Sequence, residues 1–203
     1  MTGRRVHVIS EQKTFLSEED IMEAMREISG YIDITPGDFE VIFTKAYEYA
    51  RKKMLRDTRA NAIMRQPAVC IFEEQTLTEL ITLLGGNGIS GVPVLDSQGK
   101  VTGVASEKDV LCSLGHSSET KLMGLVSDSL HIPFTLTEEE RSRKVKRIMS
   151  FPPVTVEVDA SLGAIVAIFD STTINRLPVV DTNGFPLGVI TRHNIIRAFG
   201  RLL

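Results

Sequence analysis

The chain has only two cysteines, Cys70 and Cys112, and they form neither a Cys-x-x-Cys pair nor a disulfide framework. It also lacks a long hydrophobic run, because the longest clearly apolar stretch, Leu162 to Phe169, is far shorter than the ~18 residues of a membrane span. No secretory signal is visible at the start of the sequence. These absences predict a protein of the reducing cytoplasm that is not inserted in a membrane.

Signatures of catalysis and of metal binding are missing as well. The four histidines have no metal-ligand spacing with one another or with the cysteines, and no serine has a histidine-and-acid arrangement nearby in sequence. Gly85-Gly-Asn-Gly88 is not followed by the Lys-Ser/Thr of a phosphate loop. A net charge of −3 argues against broad electrostatic binding of nucleic acid. An enzyme or a nucleic-acid-binding regulator is therefore only a secondary alternative.

What the chain does contain is a repeat, with a constant offset of 85 residues, as from Ile89 to Ile174. Ile89-x-x-x-Pro93-Val94-x-Asp96 returns as Ile174-x-x-x-Pro178-Val179-x-Asp181, and Gly103-Val104 returns as Gly188-Val189. A shared offset over more than fifty residues indicates one structural unit used twice. We expect function at positions that both copies keep and at the few where they differ.

Each copy is predicted to fold as strand, helix, strand, strand and helix. The first helix of copy one has apolar residues at i, i+3, i+4 and i+7, and Gly85-Gly86 can end it. The last helix of copy two is predicted to bury Ile195, Ile196 and Phe199. Because a unit of ~50 residues is marginal alone, we expect the copies to pack together. The predicted class is α/β, with tandem β-α-β-β-α repeats in one pseudo-twofold module preceded by N-terminal helices.

We divide the chain into an N-terminal helical extension (1–58), a first repeat (59–116), a helix and linker (117–144) and a second repeat (145–203). In the extension, Thr35-Pro36 is predicted to start a helix. One face of that helix is apolar: Phe39, Ile42, Phe43, Ala46, Ala50 and Met54. The residues assign no chemistry to the extension, and capping of the module and a dimer contact are alternative roles.

The candidate site residues lie where the last strand of each copy meets its last helix, in Gly103-Val-Ala-Ser106-Glu-Lys-Asp109 and Gly188-Val-Ile-Thr191-Arg-His-Asn194. Free N–H groups at a helix start attract anions, and a carboxylate there can accept the hydroxyls of a ribose. Ser-x-x-Asp is also a helix-capping arrangement. Local sequence therefore leaves both capping alone and ligand binding open.

Together with the Pro-Val-x-Asp strand, this pattern resembles the cystathionine β-synthase (CBS) domain over roughly residues 60–115 and 145–203. The resemblance implies paired repeats with two clefts that bind AMP, ADP, ATP or S-adenosylmethionine as regulatory ligands, and no required cofactor. The last motif would hold the ribose and phosphates, while the strands would enclose the adenine. The ligand-binding residues implied in this way are Ser106, Asp109, Thr191, Arg192, His193, Asn194, Val69, Cys70, Val92, Val154, Thr155 and Leu177.

The two copies differ inside the motif. Copy two has Asn194 where the resemblance leads us to expect an aspartate, so a contact to ribose would lose its charge-assisted part. Copy one has Glu107 where copy two has Arg192, and an acid would repel phosphate. We therefore expect two unequal sites, with phosphorylated ligands favoured at the Asn194 site and a ribose with less negative charge favoured at the Asp109 site.

The sequence thus predicts a non-catalytic regulatory module that senses an adenine nucleotide or S-adenosylmethionine. We expect it to form a homodimer and to transmit ligand binding to an unidentified protein target. The main alternative is a purely structural dimerisation or interaction module that binds no ligand, in which the helix-start motifs serve only as caps. Nucleic acid is not expected as a partner.

Overall fold

The computed structural model describes residues 18–28, 34–114 and 136–199, with only the backbone of Glu18 and Phe199. Internal contacts divide the chain into two units, Met1–Leu55 and Arg56–Leu203. The first unit contains helix α1 (Glu18–Glu27) and most of helix α2 (Pro36–Asp57). The predicted start of α2 is confirmed, because the Asp38 carboxylate accepts hydrogen bonds from the Thr35 backbone N–H and hydroxyl at 3.1 and 2.7 Å.

The second unit contains both repeats, whose matching elements start at the same offset of 85 residues. In the first repeat these are α3 (Ala60–Ile63), β1 (Ile71–Phe72), α4 (Leu77–Asn87), β2 (Gly91–Leu95), β3 (Val101–Ser106) and α5 (Glu107–Ser113). A short helix, α6 (Glu138–Ser142), and a 3₁₀ turn (Val145–Arg147) lead into the second repeat. Its elements are β4 (Val156–Glu157), α7 (Leu162–Ser171), β5 (Arg176–Val180), β6 (Pro186–Thr191) and α8 (Arg192–Phe199). The predicted order of elements is confirmed in both copies.

Each repeat forms its own three-stranded sheet, in the order β1-β2-β3 and β4-β5-β6. The central strand pairs parallel to the short first strand and antiparallel to the third. Both central strands, Gly91–Leu95 and Arg176–Val180, are buried over their last four residues. Burial on both faces explains why their sequences are continuously apolar rather than alternating.

Two sequence-based details are wrong. Helix α4 does not stop at Gly85-Gly86 but continues to Asn87, and Gly88 ends it with φ = +59°. The left-handed conformation that favours glycine is needed only at Gly88, whereas the other two glycines are accommodated inside the helix. On α8, Ile196 is not buried but 68% exposed.

The start of each repeat packs on the other repeat. The Ala60 N–H donates to the Ala160 carbonyl at 2.9 Å, and the Leu162 N–H donates to the Thr58 carbonyl at 2.8 Å. Arg65 and Val189 exchange two backbone hydrogen bonds, at 2.9 and 3.0 Å. The segment that opens the first repeat therefore completes the second.

The reverse exchange is equivalent. Val145 donates to the Gln75 carbonyl at 2.9 Å, Leu77 donates to the Arg143 carbonyl at 2.8 Å, and the Val145 side chain is fully buried in the first repeat's core. Glycine permits this crossing in both places: a Cβ on Gly188 would lie 2.6 Å from the Met64 sulfur. The equivalent Gly103 would meet Met149 at 2.5 Å.

Candidate functional site

The crossing of the leading segments leaves a cleft of about 760 Å³, which we call the Asn194 cleft. One part of its lining is the segment from Ala62 to Val69 without Gln66, and residues of β6 and α8 form another. The turn from Gly88 to Gly91 and the side chain of Arg176 line it as well. The cleft is therefore built from both repeats, and its size lies within the usual range of small-molecule sites.

Asn194 is held in the cleft by a reciprocal cap. Its Oδ1 accepts hydrogen bonds from the Thr191 backbone N–H at 2.9 Å and from the Thr191 hydroxyl at 2.7 Å. The Thr191 hydroxyl in turn accepts from the Asn194 backbone N–H at 3.3 Å. Because a backbone N–H can only donate, this pattern fixes which amide atom is the oxygen. Among the described residues, the Asn194 side-chain NH₂ has no hydrogen-bond partner, so it is available as a donor.

The polar lining of this cleft is cationic. Arg65, Arg176, His193 and Arg197 line it, and no carboxylate among the described residues does. An anion that enters the cleft therefore meets several cationic or proton-donating groups.

Arg176 is the most firmly placed of these cations. Its guanidinium donates to the Ser90 hydroxyl at 2.6 Å and fills the space beside Gly91, where a Cβ would lie 1.9 Å from Nη1. Burial lowers the pKa of Arg176, whereas Glu107 and Asp109 raise it. The side chain thus reaches from the second repeat to the first.

A smaller cleft of about 540 Å³, the Asp109 cleft, lies at the corresponding end of the first repeat. The Ser106 backbone N–H and hydroxyl donate to Asp109 Oδ2 at 2.8 and 2.5 Å, and the Ser150 hydroxyl donates to Oδ1 at 3.2 Å. Arg143 and Arg147 also line the cleft. The expectation that this site disfavours phosphate stays a prediction.

Arg192, which the sequence assigned to phosphate binding, lines neither cleft. Its guanidinium donates to the carbonyls of Phe169 and Thr172 at 2.5 and 3.2 Å and lies 5.2 Å from the centre of the Phe169 ring. These contacts fasten α8 to the end of α7. We therefore correct its assigned role from ligand binding to packing.

The other predicted site residues divide between the clefts and the core. Val69, Thr191, His193 and Asn194 line the Asn194 cleft, and Asp109 lines the Asp109 cleft. Val92 and Leu177 are fully buried in the core instead, because β2 and β5 turn these side chains inward. The remaining predicted residues, which line neither cleft, are Ser106, Cys70, Val154 and Thr155.

Cys70 is packed rather than available. Its thiol contacts the Ala68 carbonyl at 3.6 Å, and burial raises the pKa of the thiol to about 11. A thiol with so high a pKa is protonated at neutral pH and is a poor nucleophile.

Sequence reasoning missed Arg65, Ser90, Arg176 and Arg197 as cleft residues. The repeat itself contained a signal, since Arg176 and Arg197 stand where the first copy has Gly91 and Cys112. These are positions at which the two copies differ in charge. Arg65 had the same signal, because the second copy has Ser150 at the equivalent position, whereas Ser90 had none.

Comparison with known proteins finds two regions of the chain that match one family. The family model described as the CBS domain matches residues 60–116 and 145–201. Uncharacterized protein MJ1426 of Methanocaldococcus jannaschii is 31% identical over 148 residues, which cover 67% of this chain and 88% of that protein. The chloroplastic CBS domain-containing protein CBSX1 of Arabidopsis thaliana is 35% identical over 130 residues, which cover 61% of this chain and 55% of that protein.

Solved structures agree on the fold. The crystal structure of CBSX2 in complex with AMP is 25% identical, with a TM-score of 0.55, and the match covers 71% of this chain and 97% of that one. The CBS domain pair of protein MJ0100 in complex with 5′-methylthioadenosine and S-adenosyl-L-methionine is 19% identical, with a TM-score of 0.54, and the match covers 72% and 98%. The chain belongs to the CBS-domain family, as a tandem pair of CBS repeats preceded by N-terminal helices.

Proposed function

We propose that the protein is a regulatory module that binds an adenine nucleotide in the Asn194 cleft. The observation that carries this proposal is the polar lining of the cleft, which has three arginines, a histidine and no carboxylate among the described residues. A relative of the same fold, CBSX2, was crystallised with AMP. The proposal includes no catalytic step.

The base would lie against the leading segment of the first repeat. Ile63, Pro67, Ala68 and Val69 give this wall an apolar surface, and the backbone there can donate and accept hydrogen bonds. A flat aromatic base fits such a wall because it gains contact area and leaves few polar groups unsatisfied.

The ribose would lie at the start of α8. The Asn194 side-chain NH₂ can donate to a ribose hydroxyl, because its oxygen is already used by Thr191. A carboxylate at this position would accept from the hydroxyls with the strength of a charge-assisted bond. We therefore expect the ribose contact to be weaker here than at an aspartate, and the phosphate contacts to contribute more.

The phosphates would face Arg176 and Arg197, with Arg65 and His193 at the rim. An arginine fork matches the geometry of phosphate oxygens and can bind two of them at once. S-adenosylmethionine carries a positive sulfonium in place of phosphates, so the same cations disfavour it. We accordingly expect AMP, ADP and ATP to bind more tightly than S-adenosylmethionine or adenosine.

Ligand binding at a cleft made from both repeats would change how they pack, and the change would reach a protein target. A ligand that favours one packing shifts the population toward it.

We also propose that the chain forms a homodimer. The assignment to the cytoplasm stays a prediction; among the described residues, no helix is long and apolar enough to cross a membrane.

Calorimetry with ATP, AMP, adenosine and S-adenosylmethionine tests the proposal. Replacing Arg176 by alanine should weaken ATP about tenfold or more and adenosine little, since a hydrogen bond to a charged group contributes about 1.5–3 kcal/mol. Arg26→Ala, which removes the same charge from helix α1, is the matched control and should change neither. If millimolar concentrations of all four compounds give no heat and no shift of the thermal midpoint, the module has no adenosine ligand and the structural alternative is favoured.

A further inference from the structure

The long helix α2 has an apolar face made of exposed and partly exposed residues. None of its 22 residues is buried. Ile42 is 57% exposed, Tyr47 49% and Tyr49 73%, and Ala46 and Ala50 are exposed as well. Because most helical stability in proteins comes from packing an amphipathic face, a helix exposed in this way needs a partner.

The open face is a continuous stripe. At about 3.6 residues per turn, Ile42, Ala46, Tyr49 and Ala50 lie on one side of the helix. Phe39, Phe43 and Tyr47 stack along its edge, with ring centroids 6.5 and 6.2 Å apart. The small residue Ala46 at the middle of the stripe suits the close approach of a second helix.

The charges along α2 are distributed unequally. Asp38 and Glu40 lie in its first two turns, whereas its last two turns carry four basic residues, Arg51, Lys52, Lys53 and Arg56, and one acid, Asp57. A parallel pairing with an identical helix would bring like charges together at both ends. An antiparallel pairing would bring opposite charges together.

A single twofold axis allows two pairs of opposite charge, Glu40 with Arg51 and Asp38 with Lys53, to form at once between the copies. In an antiparallel pair, one border of the stripe meets the same border of the partner helix, and Glu40 and Arg51 lie on one border. The midpoint between Glu40 and Arg51 falls between Lys45 and Ala46, and so does the midpoint between Asp38 and Lys53. Among the described residues, Glu40 and Arg51 have no ion-pair partner within one copy.

The same axis matches the apolar residues. It lies close to the middle of α2, so two copies overlap along nearly the whole helix, which is about 33 Å long. Ile42 then faces Tyr49 of the second copy, and the two Ala46 residues lie beside the axis. Small residues therefore meet at the centre of the pair.

We propose that α2 pairs antiparallel with α2 of a second copy of this chain. The inference does not depend on nucleotide binding. It assigns a function to the helix that precedes the CBS pair, and it holds whether or not the CBS repeats make further contacts between copies.

Site-specific disulfide formation tests the pairing in the full-length chain with Cys70 and Cys112 replaced by serine. In Ala46→Cys, the two thiols lie near the axis and should form a disulfide between copies, since this bond needs Cα atoms about 4.4–6.8 Å apart. In the matched control Ala50→Cys, the two thiols are about 14 Å apart along the helix and should not. Disulfides at both positions would indicate parallel pairing, and disulfides at neither would exclude a pairing through this face; either result overturns the proposal.

Charge reversal gives an independent test by sedimentation equilibrium. Glu40→Arg and Arg51→Glu should each raise the dissociation constant of the dimer about three- to tenfold, because each reversal turns two surface ion pairs into repulsive pairs. The double variant should restore the wild-type value. Glu48→Arg changes the charge equally on the opposite face and should have no effect. A double variant no tighter than the single ones would overturn the proposal, and circular dichroism checks that α2 stays helical in each.

Discussion

At the residue scale, one difference between the two copies shapes the Asn194 cleft: Gly91 and Arg176 occupy equivalent positions. The missing side chain at Gly91 leaves the room that the Arg176 guanidinium fills. One glycine and one arginine thus make the pseudo-twofold module asymmetric. The asymmetry places a cation in the Asn194 cleft. The equivalent residue, Gly91, has no side chain and supplies no cation to the Asp109 cleft.

Gly91→Ala should weaken nucleotide binding although alanine carries no charge. Its Cβ would lie 1.9 Å from Arg176 Nη1 and 2.7 Å from the Ala105 carbonyl, so the guanidinium must leave Ser90. We expect ATP affinity to fall about three- to tenfold in calorimetry, as for a lost charge-assisted hydrogen bond. Gly85→Ala has no atom within 4 Å of its new Cβ and is the control. Unchanged ATP affinity in Gly91→Ala would show that the position of Arg176 does not matter for binding.

Residue roles were only partly accessible from sequence. The motif itself predicted Asn194, Thr191 and His193 at a cleft, because the start of a helix is a local feature. Arg192 lies between Thr191 and His193, yet the helix turns it toward α7. Adjacent residues on a helix point about 100° apart, so only the packing of α8 decided which of them face the cleft.

At the element scale, the observed helix starts follow from local sequence, whereas the end of α4 does not. Thr76, Ser106 and Thr137 each cap a helix in a reciprocal box with an acid three residues later. Such boxes are read directly from sequence because both partners lie within four residues. The end of α4 was ambiguous, since Gly85, Gly86 and Gly88 can all end a helix, and only the backbone angle at Gly88 distinguishes them.

The capping box of α4 should make stability depend on pH. Hydrogen bonds from Gln75 and from the backbone and hydroxyl of Thr76 lower the pKa of Glu79 to about 2, from an ordinary value of 4.5. Since the folded-state pKa is the lower one, the stabilisation is present above pH about 4.5 and is lost as the pH falls toward about 2.

Thermal midpoints measured between pH 2 and 7 check this expectation. Glu79→Gln should flatten the dependence in that acid range and lower the midpoint at pH 7. Glu157→Gln, on an exposed strand residue, is the matched control and should follow the wild-type curve. Parallel curves for wild type and Glu79→Gln would show that the cap does not carry the dependence.

At the scale of the whole molecule, the exchange of leading segments joins the two CBS repeats into one folding unit. Each segment hydrogen-bonds the repeat to which it does not belong in sequence, and Val145 is part of the first repeat's core. Neither repeat is complete without the other. We therefore expect one cooperative unfolding transition for Arg56–Leu203 rather than one per repeat.

Gly188→Ala should lower the stability of both repeats together. Its Cβ would lie 2.6 Å from the Met64 sulfur and 2.9 Å from the Arg65 carbonyl oxygen. Because that oxygen belongs to the backbone, it cannot easily move away. Overpacking of this kind costs about 1–3 kcal/mol, and each kcal/mol moves the midpoint about 2–4 °C at this chain length. Calorimetry should show a single transition at lower temperature, whereas Gly86→Ala should not lower it. Two separated transitions would contradict a shared folding unit.

The sequence by itself determined the duplicated unit, the order of strands and helices in each copy, the caps and the CBS family. These features are encoded by periodicity and by neighbours a few residues apart, so they can be recognised in the sequence. Only the tertiary structure decided that each leading segment crosses to the other repeat and that Arg176 and Arg197, rather than Arg192, line the cleft. The bonds responsible join residues far apart in the chain, such as Ser90 and Arg176, and local pattern contains no information about such partners.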